Sequence, residues 1–538
     1  MKKSAILFLL LFISGKILAQ GTFSGDLMMN LNSFQRDTNI KAAGNPLYDN
    51  YLSGSEAWLS LRYNIKGFTF ALRADAFNHS NLKNPTSAMT DFGVGAWSVS
   101  KEMKDLSITM GYIYDQIGSG ILFRAYEDRG LLIDNALVGL QLKYKLTNNI
   151  SLKGFTGQQK NNNAINNSRY APILRGFNAE GDFNVGKVHL VPGIGFIDRT
   201  LDGSTMNSVV ATINAQNITE RFVPMYNMYA FSAYNSLTYK GFSWYAEGVY
   251  KTHEAIVENN LLMDKPGNVE YTSLNYGMKG IALSVSGKRT QDFVMRTSPN
   301  QVVRDGMLNW QPVVAVLRPE RLMSRYTPAS QDISEMAGSA NLSLAPNDVT
   351  NFTLTYTHIN TLNNAELYRE GFVEGNYQGL KNWIFQGGVQ YLEYNVAIYQ
   401  NKSTPQILHA ITPYAEVTYR LTDLKSVRAE VQYMNAAEDY GSWVYAILEY
   451  NVAPKWSVSV SDMYNVVQNK GETNPNYVPG VPLKNANHYY SMFTAYTKGA
   501  HRFTLAYVKQ TDGINCSGGV CRYEPAFSGV KATITSSF

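Results

Sequence analysis

The sequence has little of several features that mark common classes of protein. Beyond its first 19 residues it contains no apolar run of about 18 residues, which excludes a transmembrane helix. Only 17% of the residues are charged, and the net charge of +5 is not concentrated in a Lys/Arg block, so we expect no nucleic-acid partner. The chain has two cysteines, which in an exported protein allow one disulfide at most.

Motifs of catalytic and metal sites are also missing. The sequence contains no HExxH, no GxSxG and no P-loop. Its seven histidines do not have the spacing of metal ligands; they are His79, His189, His253, His358, His409, His488 and His501. We therefore predict a protein that is not an enzyme and has no catalytic residue, metal site or cofactor, although a barrel can also assemble a site from separate strands and loops.

The amino terminus has the organisation of a secretory signal peptide. Lys2 and Lys3 form a short positive region, residues 5–13 are apolar but too few to span a bilayer, and "GKILAQ" ends in a small-residue cleavage site. We predict cleavage after Ala19, which leaves residues 20–538 as one barrel domain. No cysteine follows this site, so we expect no lipid anchor there.

Strand patterns arranged in pairs are abundant. The chain contains 36 Tyr and 42 Gly, yet its mean hydropathy is −0.22. In "SEAWLSLRYNIKGFTFALRADAF", Ala57, Leu59 and Leu61 alternate with other residues before a turn at 64–67, and the alternation resumes after the turn. Similar hairpins recur along the chain. Longer polar segments separate them, at 160–176, 200–224, 291–330 and 467–485.

Short turns that alternate with long loops are typical of a transmembrane barrel. We predict an all-β fold, a transmembrane antiparallel up-and-down β-barrel of about 24 strands, with about 20–26 tolerated because strand limits carry errors of a few residues. The short turns and both termini would be periplasmic and the long loops extracellular. A soluble barrel would bury apolar residues inside, whereas the predicted inner face here is charged. That face carries Arg62, Arg73, Asp75, Glu247, Lys251, Lys288, Glu416, Arg420, Arg428, Glu430 and Glu449.

The chain ends in an amphipathic strand. In "GVKATITSSF", Val530, Ala532 and Ile534 alternate with polar residues, and the last residue is Phe538. A final strand that ends in phenylalanine resembles the signal by which outer-membrane barrels are recognised for assembly. We therefore predict that Phe538 is an assembly signal, that the barrel assembly machinery is a partner during biogenesis, and that outer-membrane lipid surrounds the barrel.

Three stretches point to one family of proteins. They are "YDQIGSGILFRAYEDRGLLIDNALVGLQLKY", "RAEVQYMNAAEDYGSWVYAILEYNVAPKWSVSVSDMYN" and "NCSGGVCRYEPAFSGVKATITSSF". These stretches resemble an uncharacterised, Bacteroidota-type family of outer-membrane β-barrels with a domain-of-unknown-function label. The resemblance covers nearly the whole mature chain, and the loops are least alike. It implies a barrel in the outer membrane of a Gram-negative bacterium, and it implies no activity.

The densest group of charges lies in "DQIGSGILFRAYEDRGLLID", residues 115–134. The strand before it is predicted to turn Met110 and Tyr114 toward lipid, so Asp115 would face the lumen. The connecting loop then carries Arg124, Glu127, Asp128 and Arg129. Either this cluster lines a pore or contacts a ligand, or it is a self-neutralising loop at the barrel rim. Asp134 has the same strand parity as Val138 and Leu140, so we expect it at the rim rather than in the lumen.

A second group of charges comes from three neighbouring strands. On the lumen parity, close to short turns, lie Glu416, Arg420, Arg428, Glu430 and Glu449. These residues would form a belt near the periplasmic end of the barrel. The belt is either a structural ladder or a selectivity element of a pore.

The longest external segment is 291–330. It contains "LNWQPVVAVL", a run too apolar for a freely solvated loop, and several arginines, namely Arg296, Arg304, Arg318, Arg321 and Arg325. We expect this segment to fold over or into the lumen, or to dock on a partner. Its arginines would then lie opposite acidic groups such as Asp115, Glu127 or Asp128.

Cys516 and Cys521 flank "SGGV" in the last external loop. The two glycines allow the Cα atoms of the cysteines to approach each other, and an exported compartment favours oxidation. We predict a disulfide between these two residues.

Three functions from different classes fit the sequence. The best supported is a porin-like channel whose polar, charge-lined lumen is partly occluded by the long loop, because about 24 strands exceed the about 16–18 that already leave an aqueous channel. The alternative is an accessory or scaffold barrel, packed with other outer-membrane proteins in a secretion or assembly complex. An outer-membrane hydrolase has the least support. Strands begin at about Phe23, so we expect no room for the amino-terminal plug of a TonB-dependent receptor.

Overall fold

The computed structural model describes residues 21–84, 87–161, 165, 168–258, 260–301, 304–402, 406–480, 483, 486–517 and 519–538. The predicted signal peptide, with its cleavage site after Ala19, lies outside the described residues. In the described part of the chain, no helix has both the length and the apolar character needed to cross a membrane.

Twenty-four antiparallel strands form one closed sheet. They are β1 (Thr22–Phe34), β2 (Ser53–Ile65), β3 (Phe68–Ser80), β4 (Met89–Glu102), β5 (Leu106–Ile113), β6 (Leu137–Lys145), β7 (Ile150–Lys160), β8 (Arg169–Gly181), β9 (Val188–Thr200), β10 (Asn227–Tyr239), β11 (Phe242–Glu258), β12 (Leu261–Met278), β13 (Ile281–Gln291), β14 (Glu335–Asn347), β15 (Thr350–Thr361), β16 (Glu366–Tyr377), β17 (Trp383–Asn395), β18 (Ile407–Thr422), β19 (Lys425–Ala436), β20 (Gly441–Val452), β21 (Trp456–Gln468), β22 (His488–Lys498), β23 (His501–Gln510) and β24 (Phe527–Ser537). After a break at Asp182, β8 continues as Phe183–Val185.

The barrel closes between its first and last strands. Strand β1 pairs with β24, from Asp26 opposite Ser537 to Phe34 opposite Gly529. Each remaining neighbour in the sheet is also a neighbour in sequence. The prediction of an antiparallel up-and-down barrel of about 24 strands is confirmed.

Side chains alternate between the two faces of the barrel wall, as strand geometry requires. In β3, Phe70 and Leu72 point outward and expose 43% and 45% of their surface. Arg73 and Asp75 point inward and expose 6% and 3%. Apolar side chains outside and charged ones inside are the arrangement of a membrane barrel.

At one end of the barrel, the turn end, every connection is short, and all the long connections lie at the other, the loop end. Three connections at the loop end are also short, namely those from β11 to β12, β15 to β16 and β19 to β20. At the turn end, Lys66 and Gly67 join β2 to β3 with φ values of 48° and 76°, which suit a two-residue hairpin turn. Because the number of strands is even, β1 begins and β24 ends at the turn end. The longest connections at the loop end are residues 114–136, 201–226 and 292–334.

Helical segments of the described residues lie in the loops. Helix α1 (Gly203–Ala215) begins after Asp202, whose side chain accepts hydrogen bonds from the backbone N–H groups of Ser204 and Thr205. The shorter elements are α2 (Val396–Tyr399), 3-10 turns at Thr38–Ile40, Ile218–Glu220 and Met323–Arg325, and a π-turn at Leu47–Tyr51. A small hairpin, Gly513–Ser517 with Val520–Glu524, forms the loop between β23 and β24.

Two of the long loops fold back into the barrel. We call residues 114–136 inner segment 1 and residues 292–334 inner segment 2. A buried apolar cluster joins both segments to the wall of β7 to β12; it includes Ile117, Ile121, Leu122, Phe123, Met295 and Leu308 with Phe155, Leu174, Val249 and Val269. A second cluster joins inner segment 2 to the wall of β14 to β21; it includes Val314, Ala315, Leu322 and Tyr326 with Ile359, Leu367, Tyr368, Leu392, Trp443 and Met463. Much of the apolar core therefore lies inside the barrel.

Candidate functional site

A buried cluster of charges holds inner segment 1 against the wall. The Nη2 atom of Arg73 lies 2.5 Å from Asp134 Oδ2, its Nη1 lies 3.0 Å from Glu127 Oε1, and its Nε lies 2.7 Å from Asp75 Oδ1. Lys160 Nζ lies 2.5 Å from the same Asp134 oxygen. The two cations thus share one carboxylate of the inner segment, and Arg73 also bridges to a carboxylate of its own strand.

The position predicted for Asp134, at the rim, is wrong. Only 6% of this residue is exposed, and its carboxylate lies inside the barrel between Arg73 and Lys160. Burial by itself would raise the pKa of the Asp134 carboxyl, but the charges of Lys160 and Arg73 lower the pKa below its usual value. Strand parity does not apply to Asp134, because the residue belongs to a loop that enters the lumen.

Tyr114 also departs from the prediction that it faces lipid. Strand β5 ends at Ile113, and the chain then bends into the barrel. The Tyr114 hydroxyl donates a hydrogen bond to Asp134 Oδ1 at 2.7 Å and accepts one from Arg73 Nη1 at 3.3 Å. The prediction for Tyr114 is wrong because it continued the alternation of the strand one residue beyond Ile113, where the strand ends.

Asp115 faces the lumen, as predicted. Its carboxylate lies 2.8 Å from Lys143 Nζ and 2.9 Å from Lys153 Nζ, and Gln141 Nε2 donates to it at 2.7 Å. These three residues point inward from β6 and β7. Burial would raise the pKa of Asp115, but the pair of lysines lowers it. Asp115 therefore anchors the first residues of inner segment 1 to the wall.

The other charges predicted for this cluster lie within inner segment 1. The guanidinium of Arg124 lies 4.6 Å from the ring centres of both Tyr126 and Trp310. Arg129 Nε lies 2.8 Å from Glu127 Oε1, and Asp128 Oδ1 accepts a hydrogen bond from the backbone N–H of Leu131. The cluster neutralises itself, as one alternative proposed, but it does so inside the barrel and not at its rim.

Inner segment 2 crosses the lumen in contact with inner segment 1. The backbone N–H of Trp310 donates to Gly120 O at 3.0 Å, and that of Arg124 donates to Leu308 O at 3.0 Å. Arg304 donates to the backbone oxygens of Leu131 and Lys83. Of the positions left open by the sequence, the structure selects the one in which the long segment folds into the lumen.

Among the remaining arginines of inner segment 2, Arg296 pairs with Asp332 of the same segment, whereas Arg318 and Arg325 reach the far wall. Arg318 Nε lies 3.0 Å from Glu370 Oε1, and Glu370 is 0% exposed. The guanidinium of Arg325 lies 4.5 Å from the ring centre of Trp443. Arg321 is accessible and forms no ion pair within the described part of the chain.

The acidic partners predicted for these arginines are wrong. Asp115 pairs with lysines of the wall, Glu127 pairs with Arg73 and Arg129, and Asp128 caps a turn. Sequence reasoning missed Glu370, the partner that Arg318 does have. Its signal was present, because Glu370 has the same parity in β16 as the buried residues Tyr368 and Phe372.

Four of the five predicted belt residues come together. Arg428 Nε lies 2.8 Å from Glu416 Oε2, Arg428 Nη2 contacts Glu430, and Arg428 Nη1 lies 3.9 Å from Glu449 Oε2. The fifth, Arg420, is exposed and forms no ion pair among the described residues. The contacts have the form of a ladder across β18, β19 and β20.

The hairpin of the last loop places Cys516 directly opposite Cys521. The side chain of Cys516 lies outside what the structure describes. The disulfide therefore stays a prediction.

Cavities remain at both ends of the filled lumen. One of about 470 Å³ lies toward the turn end and is lined by Asp26, Arg62 and Glu127 among others. Another of about 560 Å³ lies at the loop end, between inner segment 2 and the surrounding loops. Within the described residues, no group of three or more His, Cys, Asp or Glu has a geometry suited to a metal ion.

These features define a large β-barrel of the outer-membrane type whose lumen is filled by two of its own loops. The model of one protein family matches residues 1–538, and its description is a family of unknown function, DUF6029. The chain belongs to this family. The Bacteroidota origin that the sequence indicated stays a prediction.

Comparison with curated proteins finds no match. Among solved structures, the translocation pore of the P pilus usher PapC is 8% identical, with a TM-score of 0.46, over 96% of this chain and 99% of that chain. A variant of the ferric enterobactin receptor PfeA from Pseudomonas aeruginosa is 9% identical, with a TM-score of 0.43, over 96% of this chain and 80% of that chain. OpdQ from Pseudomonas aeruginosa is 9% identical, with a TM-score of 0.32, over 82% of this chain and 97% of that chain. TM-scores below 0.5 leave the function of this chain open.

Proposed function

We propose that the protein is a solute channel of a Gram-negative outer membrane that its own inner segments hold closed in this conformation. The observation that carries the proposal is the path of inner segment 2. It crosses the lumen from β13 to the far wall at Glu370, while polar cavities remain toward both ends of the barrel. A barrel wider than about 16–18 strands encloses water unless something fills it, so inner segment 2 is the element that would control passage.

The two halves of inner segment 2 are held by different neighbours. Its first half, residues 292–312, contributes Phe293, Met295 and Leu308 to the apolar cluster that it shares with inner segment 1. Its second half, residues 313–330, contributes Val314, Ala315, Leu322 and Tyr326 to a cluster formed with the far wall. Undocking of the second half would therefore leave the packing between the two inner segments in place. Residues 313–330 are the part that would move when the channel opens.

Polar contacts of residues 313–330 can be exchanged for water when this part undocks. The backbone N–H of Leu322 donates to Gln432 Oε1 at 2.7 Å, and the Tyr326 hydroxyl donates to Asp439 at 2.7 Å. Because such bonds replace bonds to water, the neutral one contributes only about 1 kcal/mol net and the one to the Asp439 carboxylate about 1.5–3 kcal/mol. Closure by contacts of this kind is reversible.

Conductance in planar bilayers tests the channel. We expect the wild-type protein to be mostly closed, and a variant with residues 313–330 replaced by a short Gly/Ser linker to show steady conductance. The matched control replaces residues 217–225, which lie in an exposed loop, and should behave as the wild type. In the open events of the full-length chain, neutralising Arg318, Arg321 and Arg325 should shift ion selectivity toward cations. If neither the wild type nor any variant conducts ions, the proposed channel function is wrong.

One observation favours a second candidate function, an accessory barrel in an outer-membrane complex. In the loop that follows α1, Ile218, Val223 and Met225 expose 80%, 85% and 63% of their surface. Apolar side chains clustered in this way outside the strands fit a contact with another outer-membrane protein. Purification in mild detergent should then retain a partner that an Ile218→Ser, Val223→Ser variant loses.

The proposal also includes the surroundings of the barrel. Outward apolar side chains such as Leu140, Leu142 and Tyr144 would contact outer-membrane lipid. The assembly machinery would recognise the last strand and Phe538 during biogenesis. No enzymatic activity forms part of the proposed function.

A further inference from the structure

The cavity at the loop end has an excess of positive charge. Its volume is about 560 Å³, and its floor is formed by residues 317–327 of inner segment 2. Five basic side chains line it, namely Lys41, Arg318, Arg321, Arg325 and Lys402, against three acidic ones, namely Asp439, Asp512 and Glu524. The formal net charge of the lining residues is therefore +2.

Two of the five basic groups are neutralised by the protein itself. Arg318 pairs with Glu370, and Lys402 Nζ lies 2.9 Å from Asp439 Oδ1. Asp439 is 1% exposed and also accepts the hydrogen bond of Tyr326. These contacts have a structural role, because they fix inner segment 2 and the loop after β19.

Three basic groups form no ion pair in the ranges that the structure describes, although Asp439 attracts Arg325. Among the described residues, which include every Asp and Glu of the chain, Lys41, Arg321 and Arg325 form no ion pair. Arg325 packs on Trp443, and its buried Nε has no hydrogen-bond acceptor within the described part of the chain. Arg321 and Arg325 stand four positions apart on one turn, so their like charges oppose each other unless an anion lies between or beside them.

The other acidic groups of the lining are already engaged. Asp512 Oδ2 accepts a hydrogen bond from the Tyr523 hydroxyl at 2.9 Å. Glu524 Oε1 lies 2.7 Å from Arg522 Nη2. Glu524 attracts Arg321 but forms no ion pair with it among the described residues, and Arg321 is solvent-accessible although burial lowers its pKa. That combination is expected for a side chain that faces an enclosed cavity.

We propose that this cavity binds a small organic anion through Arg321, Arg325 and Lys41. A guanidinium offers paired N–H donors that match the oxygens of a carboxylate or phosphate, and in a recess shielded from bulk water such contacts are strong. The volume lies within the range of about 300–1,000 Å³ that is typical of small-molecule sites. Tyr440 and Tyr523 add aromatic surface, which favours an organic anion over a bare inorganic ion. The site deepens the proposed function, on which it rests for its role as the entrance for a solute.

Calorimetry on the purified full-length barrel in non-ionic detergent tests the site without any conductance measurement. The probes are citrate, which carries carboxylates, glucose 6-phosphate, which carries a phosphate, and glucose as the neutral control. We expect at least one anion to bind with a Kd below 1 mM at low salt, with affinity that falls as salt rises, and glucose not to bind. Which of the two anions binds more tightly identifies the charged group of the ligand.

Variants link the binding to the named residues. Arg321→Gln and Lys41→Gln should each weaken anion binding at least tenfold, and Arg36→Gln, on an exposed loop, should leave it unchanged. Because Arg321 and Lys41 make no ion pair in the structure, neither change should prevent folding, which heat-modifiability in gels would check. Equal affinity of wild type and both variants, or no binding of either anion, would overturn the proposal. Anion binding without conductance would reject the proposed channel and support the proposed anion site. Conductance without anion binding would support the channel and reject the site.

Discussion

Replacing Arg318 by leucine should undock the second half of inner segment 2. In the native protein, Arg318 Nε and Nη2 lie 3.0 Å and 3.3 Å from the two carboxylate oxygens of Glu370. The guanidinium also lies 3.7 Å from the ring centre of Phe372. The change therefore removes a bidentate ion pair and a cation–π contact at once, from a position where the loop meets the barrel wall.

The cost follows from the burial of the partner. Glu370 is 0% exposed and would keep a single hydrogen bond, from Gln390 Nε2 at 2.8 Å. Removing one member of a buried pair leaves an uncompensated charge and costs about 3 kcal/mol, the lower end of the measured range. Because about 1.4 kcal/mol corresponds to a tenfold change, the undocked population should rise about 150-fold.

Proteolysis of the folded barrel measures this population. When docking and undocking are fast compared with cleavage, the rate of cleavage is proportional to the undocked fraction. Thermolysin should cut within residues 313–330 about two orders of magnitude faster in Arg318→Leu than in the wild type. Arg36→Leu is the matched control, because Arg36 pairs with Asp49 at 3.2 Å on an exposed loop, where an ion pair contributes little.

A double variant separates the ion pair from the general effect of losing an arginine. In Arg318→Leu, Glu370→Leu, no buried charge is left without a partner, so most of the protection against thermolysin should return. The reasoning is refuted if Arg318→Leu is cleaved no faster than the wild type. It is equally refuted if the effects of Arg318→Leu and Glu370→Leu on the free energy of docking simply add, so that the double variant is cleaved faster than either single variant.

Three further predictions concern assembly, covalent structure and pH. Phe538 exchanges two backbone hydrogen bonds with Gly25, so its deletion should lower the folded amount in the membrane, measured by heat-modifiability, more than a loop change such as Asn476→Ala. If Cys516 and Cys521 are bonded, thiol labelling of the denatured protein should require prior reduction. Burial raises the pKa of Glu320, and this stabilising contribution of the neutral form is lost as pH rises through that pKa, so Glu320→Gln should slow thermolysin cleavage at pH 7 and flatten its dependence on pH.

The barrel could be predicted from the sequence because its wall follows a single rule. Two-residue alternation makes Leu140 and Leu142 face outward with 41% and 43% of their surface exposed, while Gln141 between them is 4% exposed. The alternation of short turns with the long loops among the 23 connections then indicates the number of strands and the end at which each long loop lies. Both features are local, so no long-range contact is needed to recognise them.

The filling of the lumen could not be predicted in the same way. Tyr114 and Asp134 both lie in the loop between β5 and β6. In a loop, no strand periodicity determines the direction of a side chain. Glu370, which pairs with Arg318, and Trp443, on which Arg325 packs, lie on strands more than 50 residues away in the chain. Only the path of the loop decides which inward side chain each arginine meets. The apolar run "LNWQPVVAVL" did indicate that the segment is not solvated, but not which surface covers it.

Inward charges of a barrel wall have two distinct uses in this protein. Arg73 and Glu370 point into the lumen as pore-lining residues would, yet each is neutralised by a residue of an inner segment. Their charge serves to dock the loops, because a buried charge is tolerated only with a partner. A charge at an accessible cavity that forms no ion pair among the described residues, as at Arg321, has no such structural use. The place where the folded chain fails to balance its own charge is therefore a better guide to a ligand than the number of charges that face the lumen.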